Sequence, residues 1–388
     1  MILIFFTFLL LVLYSVLLFF YNRGWRGLQT FKKSEHKGEE VFISVIIPAR
    51  NEEVHLPALL NSIRNQTYPV HKFEVIIVDD HSSDNTAVVA SAYPLTNLKL
   101  INLADHVESG INSYKKKAIE VAINQSQGEV IITTDADCIP KPNWLETIAA
   151  FYVNENKPPM IIMPVLIESN HSLLGIFQAL DFMTLQGVTG GAVQKGLHAM
   201  CNGANLAYTR VAFGEVNGFE GIDGVASGDD IFLMNKIQQH QPGLIRYLKS
   251  EDVIVSTAAM PTLRGFLNQR IRWASKTSQY NHKPMLFSAA VVYLFNVTLL
   301  LLFIAGLLKN LPHHIFGITI TPLHSLLLIL VAKIIVELIF LFPVAEFFKQ
   351  TKQLLYFPLI QPLHILYTVI AGGLGIFGNY EWKGRKVK

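Results

Sequence analysis

The sequence predicts an α/β domain with a parallel sheet, set between apolar helices. Three observations predict it. Short apolar runs alternate with helical stretches from Val41 to Thr134, Asp residues recur where those runs end, and apolar residues crowd both ends of the chain. Of 388 residues, 51% are hydrophobic, and the mean hydropathy is +0.35. Such values lean toward a membrane protein.

Met1 to Tyr21 is almost wholly apolar and is followed by Arg23, Arg26, Lys32 and Lys33. The run is long enough to cross a bilayer. It lacks the leading basic residues and the small-residue cleavage site of a signal peptide, so it reads as an uncleaved anchor. The basic residues after it place the following domain in the cytoplasm. Val41–Ile47 is then a buried strand, and Glu52–Gln66 a helix with Leu56, Leu59, Leu60 and Ile63 on one face. Phe73–Val78 is a second strand ending at Asp79-Asp80, and Asp84–Tyr93 a short helix capped by Ser82 or Ser83. Leu98–Ile101, Lys115–Gln125 and Val130–Thr133 follow as strand, helix and strand. This alternation is that of βαβ units in a parallel sheet. Ligands of such sheets bind beyond the carboxyl ends of the strands.

Gly187–Gly191, Cys201–Asn205 and Gly214–Gly228 are rich in Gly and Asn and read as loops around a site. Three further spans are expected at Met285–Leu308, Leu323–Phe347 and Leu354–Phe377. Four spans would put both termini outside, yet the tail Trp382–Lys388 is basic and belongs inside. An interfacial or re-entrant helix after Phe347, where Lys349, Lys352 and Pro358 interrupt the apolar pattern, would resolve the count. The expected organisation is an anchor over 1–21, an α/β domain over 40–283, membrane or interfacial helices over 285–378 and a basic tail over 379–388. Lys333 and Glu337, four residues apart inside one span, can pair on one face.

The net charge of +3 supports no nucleic-acid partner. The basic residues cluster beside the spans, where topology and anionic membrane lipid explain them. Cys138 and Cys201 have no metal-ligand spacing and read as free thiols.

Asp135-Ala-Asp137 sits at the carboxyl end of the fourth strand. Two hard carboxylates there can share Mg²⁺ or Mn²⁺, and such an ion can neutralise a diphosphate. Alone this triplet is weak, since loops commonly carry two Asp residues. Four further motifs accompany it in order: Val45-Ile-Ile-Pro-Ala-Arg-Asn-Glu-Glu53, Val78-Asp-Asp-His-Ser-Ser-Asp84, Gly228-Asp-Asp230 and Gln269-Arg-Ile-Arg-Trp273. Together the five resemble the membrane-integrated inverting glycosyltransferases of family 2, the group containing cellulose, chitin, hyaluronan and poly-N-acetylglucosamine synthases. The match runs from Ser44 to Trp273.

That resemblance implies a GT-A, Rossmann-like nucleotide-sugar-binding domain. It implies a UDP-sugar donor, a divalent metal, and a glycan or lipid-linked acceptor that receives a β-linkage. Ala49, Arg50 and Glu52 would cradle the nucleoside, and Asp79 and Asp80 would read the base. Lys115 or Lys116 would meet the diphosphate. Asp135 and Asp137 would hold the metal, with Asp137 the more direct ligand. Asp230 would be the general base, and Asp229 and Asn202 would lie on the acceptor side. Gln269, Arg270 and Arg272 would reach the diphosphate, and Trp273 would form a platform for the acceptor sugar. If the enzyme extends a chain, one copy has few helices for a conducting path, which implies an oligomer or a partner subunit. Single addition to a lipid acceptor is the alternative. A non-catalytic nucleotide- or glycan-binding membrane subunit would have no need for the metal pair, the base and the Arg-Trp motif together. A transporter would not need an α/β domain of this size.

Overall fold

A computed structural model describes residues 1–33, 41–107, 111–197, 200–225, 227–276, 283–308, 312–315, 318–376, 380–382 and 385–387. The expected domain start at 40, the end of the last span at 377, and residues 379, 383, 384 and 388 of the tail lie outside them. In chain order the elements are α1 (Ile2–Gly27), β1 (Ile43–Ala49), α2 (Leu56–Arg64), β2 (Phe73–Asp79), α3 (Thr86–Ala92), β3 (Leu98–Asn102), α4 (Tyr114–Gln125), β4 (Val130–Thr133), β5 (Cys138–Ile139) and α5 (Trp144–Asn154). There follow β6 (Met160–Ile162), β7 (Val165–Glu168), α6 (Leu173–Gln194), β8 (Leu206–Thr209), α7 (Arg210–Glu215), α8 (Asp229–His240), β9 (Arg246–Tyr247), β10 (Val255–Ala258), α9 (Leu263–Ser275), α10 (Lys283–Leu308), α11 (Pro322–Phe347) and α12 (Phe357–Ile376). Two compact units result. A sheet unit takes Leu28–Glu168 and Ala192–Ala259, and a helical unit takes Met1–Gly27, Ser169–Gly191 and Met260–Tyr380.

The sheet unit is built on seven strands in the order β3-β2-β1-β4-β8-β6-β9. β1 pairs in parallel with β2 on one side and β4 on the other, while β8 runs antiparallel to β4. The chain therefore moves outward from β1 to β3 and then returns to the other side of β1. That reversal is a topological switch point, where a crevice opens beyond the strand ends. Val45, Ile46, Ile47, Val75, Ile76 and Ile77 are wholly buried. Burying each such side chain contributes roughly 1.5–3 kcal/mol, which is why these strands read as unbroken apolar runs. A second, smaller sheet has the order β5-β10-β7.

β1 starts two residues later than expected. The backbone of Val41 is occupied by the Tyr68 hydroxyl, which accepts from its N–H at 3.0 Å and donates to its carbonyl at 2.6 Å. α2 starts at Leu56 rather than Glu52 because the amides of Glu52 and Glu53 donate to Thr86 Oγ1 and Asp84 Oδ2 of the neighbouring loop. Neither Ser82 nor Ser83 caps α3. The Asp84 carboxylate accepts from the Thr86 amide at 3.0 Å, an Asx turn that displaces the serine cap. Burial works against the Asp84 charge, but hydrogen bonds from Thr86 and the Glu53 amide outweigh it and hold the carboxyl below its ordinary range.

Among its described residues the helical unit contains four helices long and apolar enough to cross a membrane: Ile2–Gly27, Lys283–Leu308, Pro322–Phe347 and Thr351–Gly375. The segment Gly187–Gly191, expected as a loop, lies inside α6. Its glycines serve close packing, because a Cβ on Gly191 would stand 2.4 Å from the carbonyl oxygen of Tyr21 on α1. Lys333 Nζ donates to Glu337 Oε1 and to Gln361 Oε1, both at 2.6 Å. Gln361 Nε2 and the Tyr14 hydroxyl donate to the same Glu337 carboxylate at 2.9 and 2.5 Å. This buried network joins α1, α11 and α12.

Removing one member of such a pair strands its partner. Lys333→Met is expected to destabilise the protein by about 3–5 kcal/mol, read as the unfolding midpoint in detergent. Adding Glu337→Gln should recover much of the loss, since glutamine is neutral and still accepts from Tyr14. No recovery would mean that the lysine matters by packing and not by charge.

Candidate active site

The first cluster lies where β1 and β2 end. Ala49 is opposite Asp79 in the register, and its carbonyl accepts from the Asp80 amide at 2.8 Å. Arg50 Nη1 donates to the carbonyls of Asp80 and His81 at 2.7 and 3.1 Å. Asn51 and His81, one in each loop, have φ of +53°. Such backbone is strained outside glycine and is kept only where surroundings over-determine it. Here the two loops are stitched together, with the Asn51 amide donating to Ser82 Oγ, the Ser83 amide to Asn51 Oδ1 and the Asn85 amide to Glu53 Oε2. Glu52 is buried and accepts from His55 Nδ1 at 2.9 Å. Asp79 Oδ2 accepts from the Ser82 amide, while Asp79 Oδ1 is buried with no hydrogen-bond partner among the described residues. A buried carboxylate oxygen without a donor is costly unless a ligand supplies one.

The second cluster gathers beyond β4. Ligand atoms of Asp135, Asp137 and Cys138 lie within 4.8 Å of one another. The two carboxylates suit a hard divalent cation. Cys138 is a poor third ligand for such an ion. Its thiol is buried, and burial together with Asp135 and Asp137 pushes its pKa well up, so it stays a soft, protonated group. Thr257 Oγ1 donates to Asp137 Oδ2 at 3.4 Å.

Lys115 Nζ lies 2.8 Å from Asp135 Oδ1 and 3.4 Å from Asp229 Oδ2. Burial works against its charge, but Asp135 and Asp229 outweigh this and raise its pKa above the ordinary lysine value. Asp230 follows on the first turn of α8. Its Oδ2 accepts from the Gly203 amide at 3.1 Å and its Oδ1 from the Ile231 amide at 2.8 Å. A helix start is a favourable place for a carboxylate. Asn202 caps its own short turn, accepting from the Ala204 amide at 3.0 Å, while Asn205 is committed to the core through Trp144, Pro164 and Val253. One strand away, the Tyr208 hydroxyl is buried, and burial and then Asp229 raise its pKa, partly countered by Lys115.

The sheet unit thus holds Ala49, Arg50, Glu52, Asp79, Asp80, Lys115, Asp135, Asp137, Asn202, Asp229 and Asp230 at its strand ends, loops and helix starts. Lys116 differs from the expectation. It is 1% exposed and its ammonium is bonded to backbone carbonyls, so it does not face a ligand. Gln269, Arg270, Arg272 and Trp273 lie on α9 in the helical unit. Arg270 is buried there. Its Nε donates to Asp181 Oδ2 at 3.0 Å, and its guanidinium lies 4.1 Å from the Trp273 ring centroid and 4.8 Å from that of Phe266. Tyr367 on α12 donates to the other Asp181 oxygen. Arg270 is therefore spent on Asp181, and of the two arginines Arg272 is the more exposed. Asp181 escaped the sequence reading, although one acid in the run from Leu173 to Met183 marks a buried partner.

Gly228 sets the start of α8. Its φ is +82°, and a Cβ there would lie 2.5 Å from the Phe232 ring. Gly228→Ala is expected to cost at least about 1–2 kcal/mol from the left-handed backbone and to lower turnover with it. Unchanged turnover would show that this bend does not set the Asp229-Asp230 geometry.

Known proteins match this arrangement. The profile of glycosyl transferase family 2 matches residues 44–214, and that of glycosyl transferase family group 2 matches residues 130–348, more than half of the chain. The glycosyltransferase AglE of Haloferax volcanii is 36% identical over 105 residues, which are 27% of this chain and 33% of that protein. The probable glycosyltransferase YdaM of Bacillus subtilis is 25% identical over 271 residues, 68% of this chain and 62% of that one. The chain thus spans less than two thirds of these relatives. In fold it is similar to the mannosyltransferase PcManGT of Pyrobaculum calidifontis, solved with GDP-Man and Mn²⁺ (TM-score 0.62, 19% identity, 97% of this chain and 99% of that one). With the GT-A sheet, the strand-end carboxylates and both profiles in agreement, the chain belongs to the family 2 glycosyltransferases.

Proposed function

We propose that the enzyme is an integral membrane protein with its sheet unit in the cytoplasm, and that it transfers a sugar from a UDP-sugar, with inversion, to a glycan or lipid-linked acceptor. One observation carries the reading of the site: a single ammonium, Lys115, touches both Asp135 of the metal pair and Asp229 beside Asp230. Leaving-group and acceptor functions then fall within one side chain's reach.

Asp79 Oδ1, buried and without a donor among the described residues, suits the N–H of a uracil ring. Arg50 holds the loop of Asp80 against the first strand end and gives the nucleoside a fixed wall. Asp135 and Asp137 would hold Mg²⁺ or Mn²⁺, which would neutralise the departing diphosphate as a Lewis acid. Lys115 adds a second positive charge on the same side. Asp230, oriented by the Gly203 and Ile231 amides, takes the proton of the acceptor hydroxyl. The hydroxyl oxygen bonds to the anomeric carbon as the bond from that carbon to the phosphate oxygen breaks. Attack opposite the leaving group gives a β-linkage from an α-linked donor.

The membrane assignment rests on the four long apolar helices, and Arg23, Arg26, Lys32 and Lys33 after the first argue for a cytoplasmic sheet unit. Product size with a labelled donor in membranes separates the acceptor classes: a ladder indicates chain extension, a single product indicates one addition.

Asp230→Asn is expected to lower turnover by roughly 10²–10⁴-fold while UDP binding persists; undiminished UDP release would refute the base assignment. Chelation should abolish UDP release, with Mn²⁺ or Mg²⁺ restoring it, and Asp137→Ala should remove that restoration. The screen that identifies the donor should set UDP-sugars against GDP-mannose. A preference for GDP-mannose would overturn the reading of Asp79.

A further inference from the structure

We infer that Lys116 is a positioning residue that fixes the start of α8, and with it Asp230, by caging its ammonium in backbone carbonyls. The inference rests on the reading of Asp230 as the base. Lys116 Nζ donates to the carbonyls of Ile222, Val225 and Ser227 at 2.6, 2.5 and 3.1 Å. An ammonium has three protons to give, and the three carbonyls take them. Ser227 is the residue before Gly228, so the cage ends one residue short of the Gly228-Asp-Asp230 motif.

The other side of the motif is held as well. Lys116 Nζ lies 5.4 Å from the ring centroid of Phe232, on the first turn of α8. The same ring fills the space where Gly228 lacks a Cβ. Asp229 and Asp230 are thus fastened before and after by one side chain. Ser113, just ahead of α4, adds a hydrogen bond from its hydroxyl to the carbonyl of Asp223. A carbonyl cage holds a backbone segment by charge-assisted bonds, which are stronger than neutral ones. A buried ammonium is otherwise expensive, so this arrangement is poorly explained as filler between α4 and α8.

Adjacent lysines then do different work. Lys115 faces the carboxylates, and Lys116 holds the segment that delivers two of them. They should fail differently. Lys116→Met keeps a long unbranched side chain and deletes the ammonium with its three donors. In the full chain it should leave UDP affinity in the presence of Mn²⁺ unchanged and lower kcat by about 10- to 100-fold, the scale of a base misplaced by ~1 Å. Amide hydrogen exchange over residues 227–231 should accelerate. Lys115→Met should instead weaken UDP binding without accelerating that exchange. Ser113→Ala, a milder cut at the same junction, should move kcat and exchange in the same direction and decides the matter if Lys116→Met does not fold. Unchanged kcat and exchange in a folded Lys116→Met, or in Ser113→Ala when that variant must decide, would overturn the inference. So would a loss of UDP affinity like that of Lys115→Met. If Asp230→Asn keeps its turnover, the base reading fails instead, and the exchange measurement still reports on the cage by itself.

Discussion

Repulsion between carboxylates is the constraint that the site is built around. Ligand atoms of Asp135 and Asp137 lie within 4.8 Å of each other, and Asp229 and Asp230 follow in the same unit. Like charges at about 4 Å repel by about 4 kcal/mol at an effective dielectric near 20. Backbone amides and ammonium groups oppose this. The Gly203 and Ile231 amides serve Asp230, the Ser82 amide serves Asp79, and Lys115 stands between Asp135 and Asp229. Lys115 is thus the one ammonium seen to pair with a carboxylate of each Asp motif among the described residues.

Much of the sheet was legible because buried parallel strands are continuous apolar runs. β1, β2 and β4 announce themselves, and Asp residues stand at or just beyond the carboxyl ends of β2 and β4. Strand and helix starts were less legible, since they depend on partners distant in sequence. Tyr68 sets the start of β1, and Asp84 and Thr86 set that of α2. Gly187–Gly191 misled for a different reason. Glycine marks a loop in a soluble domain, but in α6 it marks a place where another backbone comes close.

The helical unit shows a related limit. Lys333 and Glu337 could be matched from their spacing along one helix. Their bonds to Gln361 and Tyr14 could not, because those cross between helices. Arg270 with Asp181 is the same case. Arginine in a motif of this type suggests phosphate, yet this guanidinium is flat, lies against Trp273 and Phe266, and is ion-paired with Asp181. Lysine could not replace it, lacking both the planar face and the forked donors.

Consecutive residues on a helix point about 100° apart, and this geometry explains why three lysines in a row have three fates. Lys117 pairs with Glu120 one turn on, at 2.7 Å. Lys115 reaches the carboxylates, and Lys116 turns inward to the carbonyls of Ile222, Val225 and Ser227. The family resemblance narrowed the expected diphosphate lysine to Lys115 or Lys116, and the helix was foreseen, but its rotation about its axis was not. Rotation is fixed by what α4 packs against, and that includes the segment leading into α8. The orientation that aims Lys115 at Asp135 and Asp229 is therefore the one that buries Lys116. A change in α4 that moved one lysine would move the other, so the ion pairs of Lys115 and the carbonyl contacts of Lys116 ahead of α8 are set by a single rigid turn.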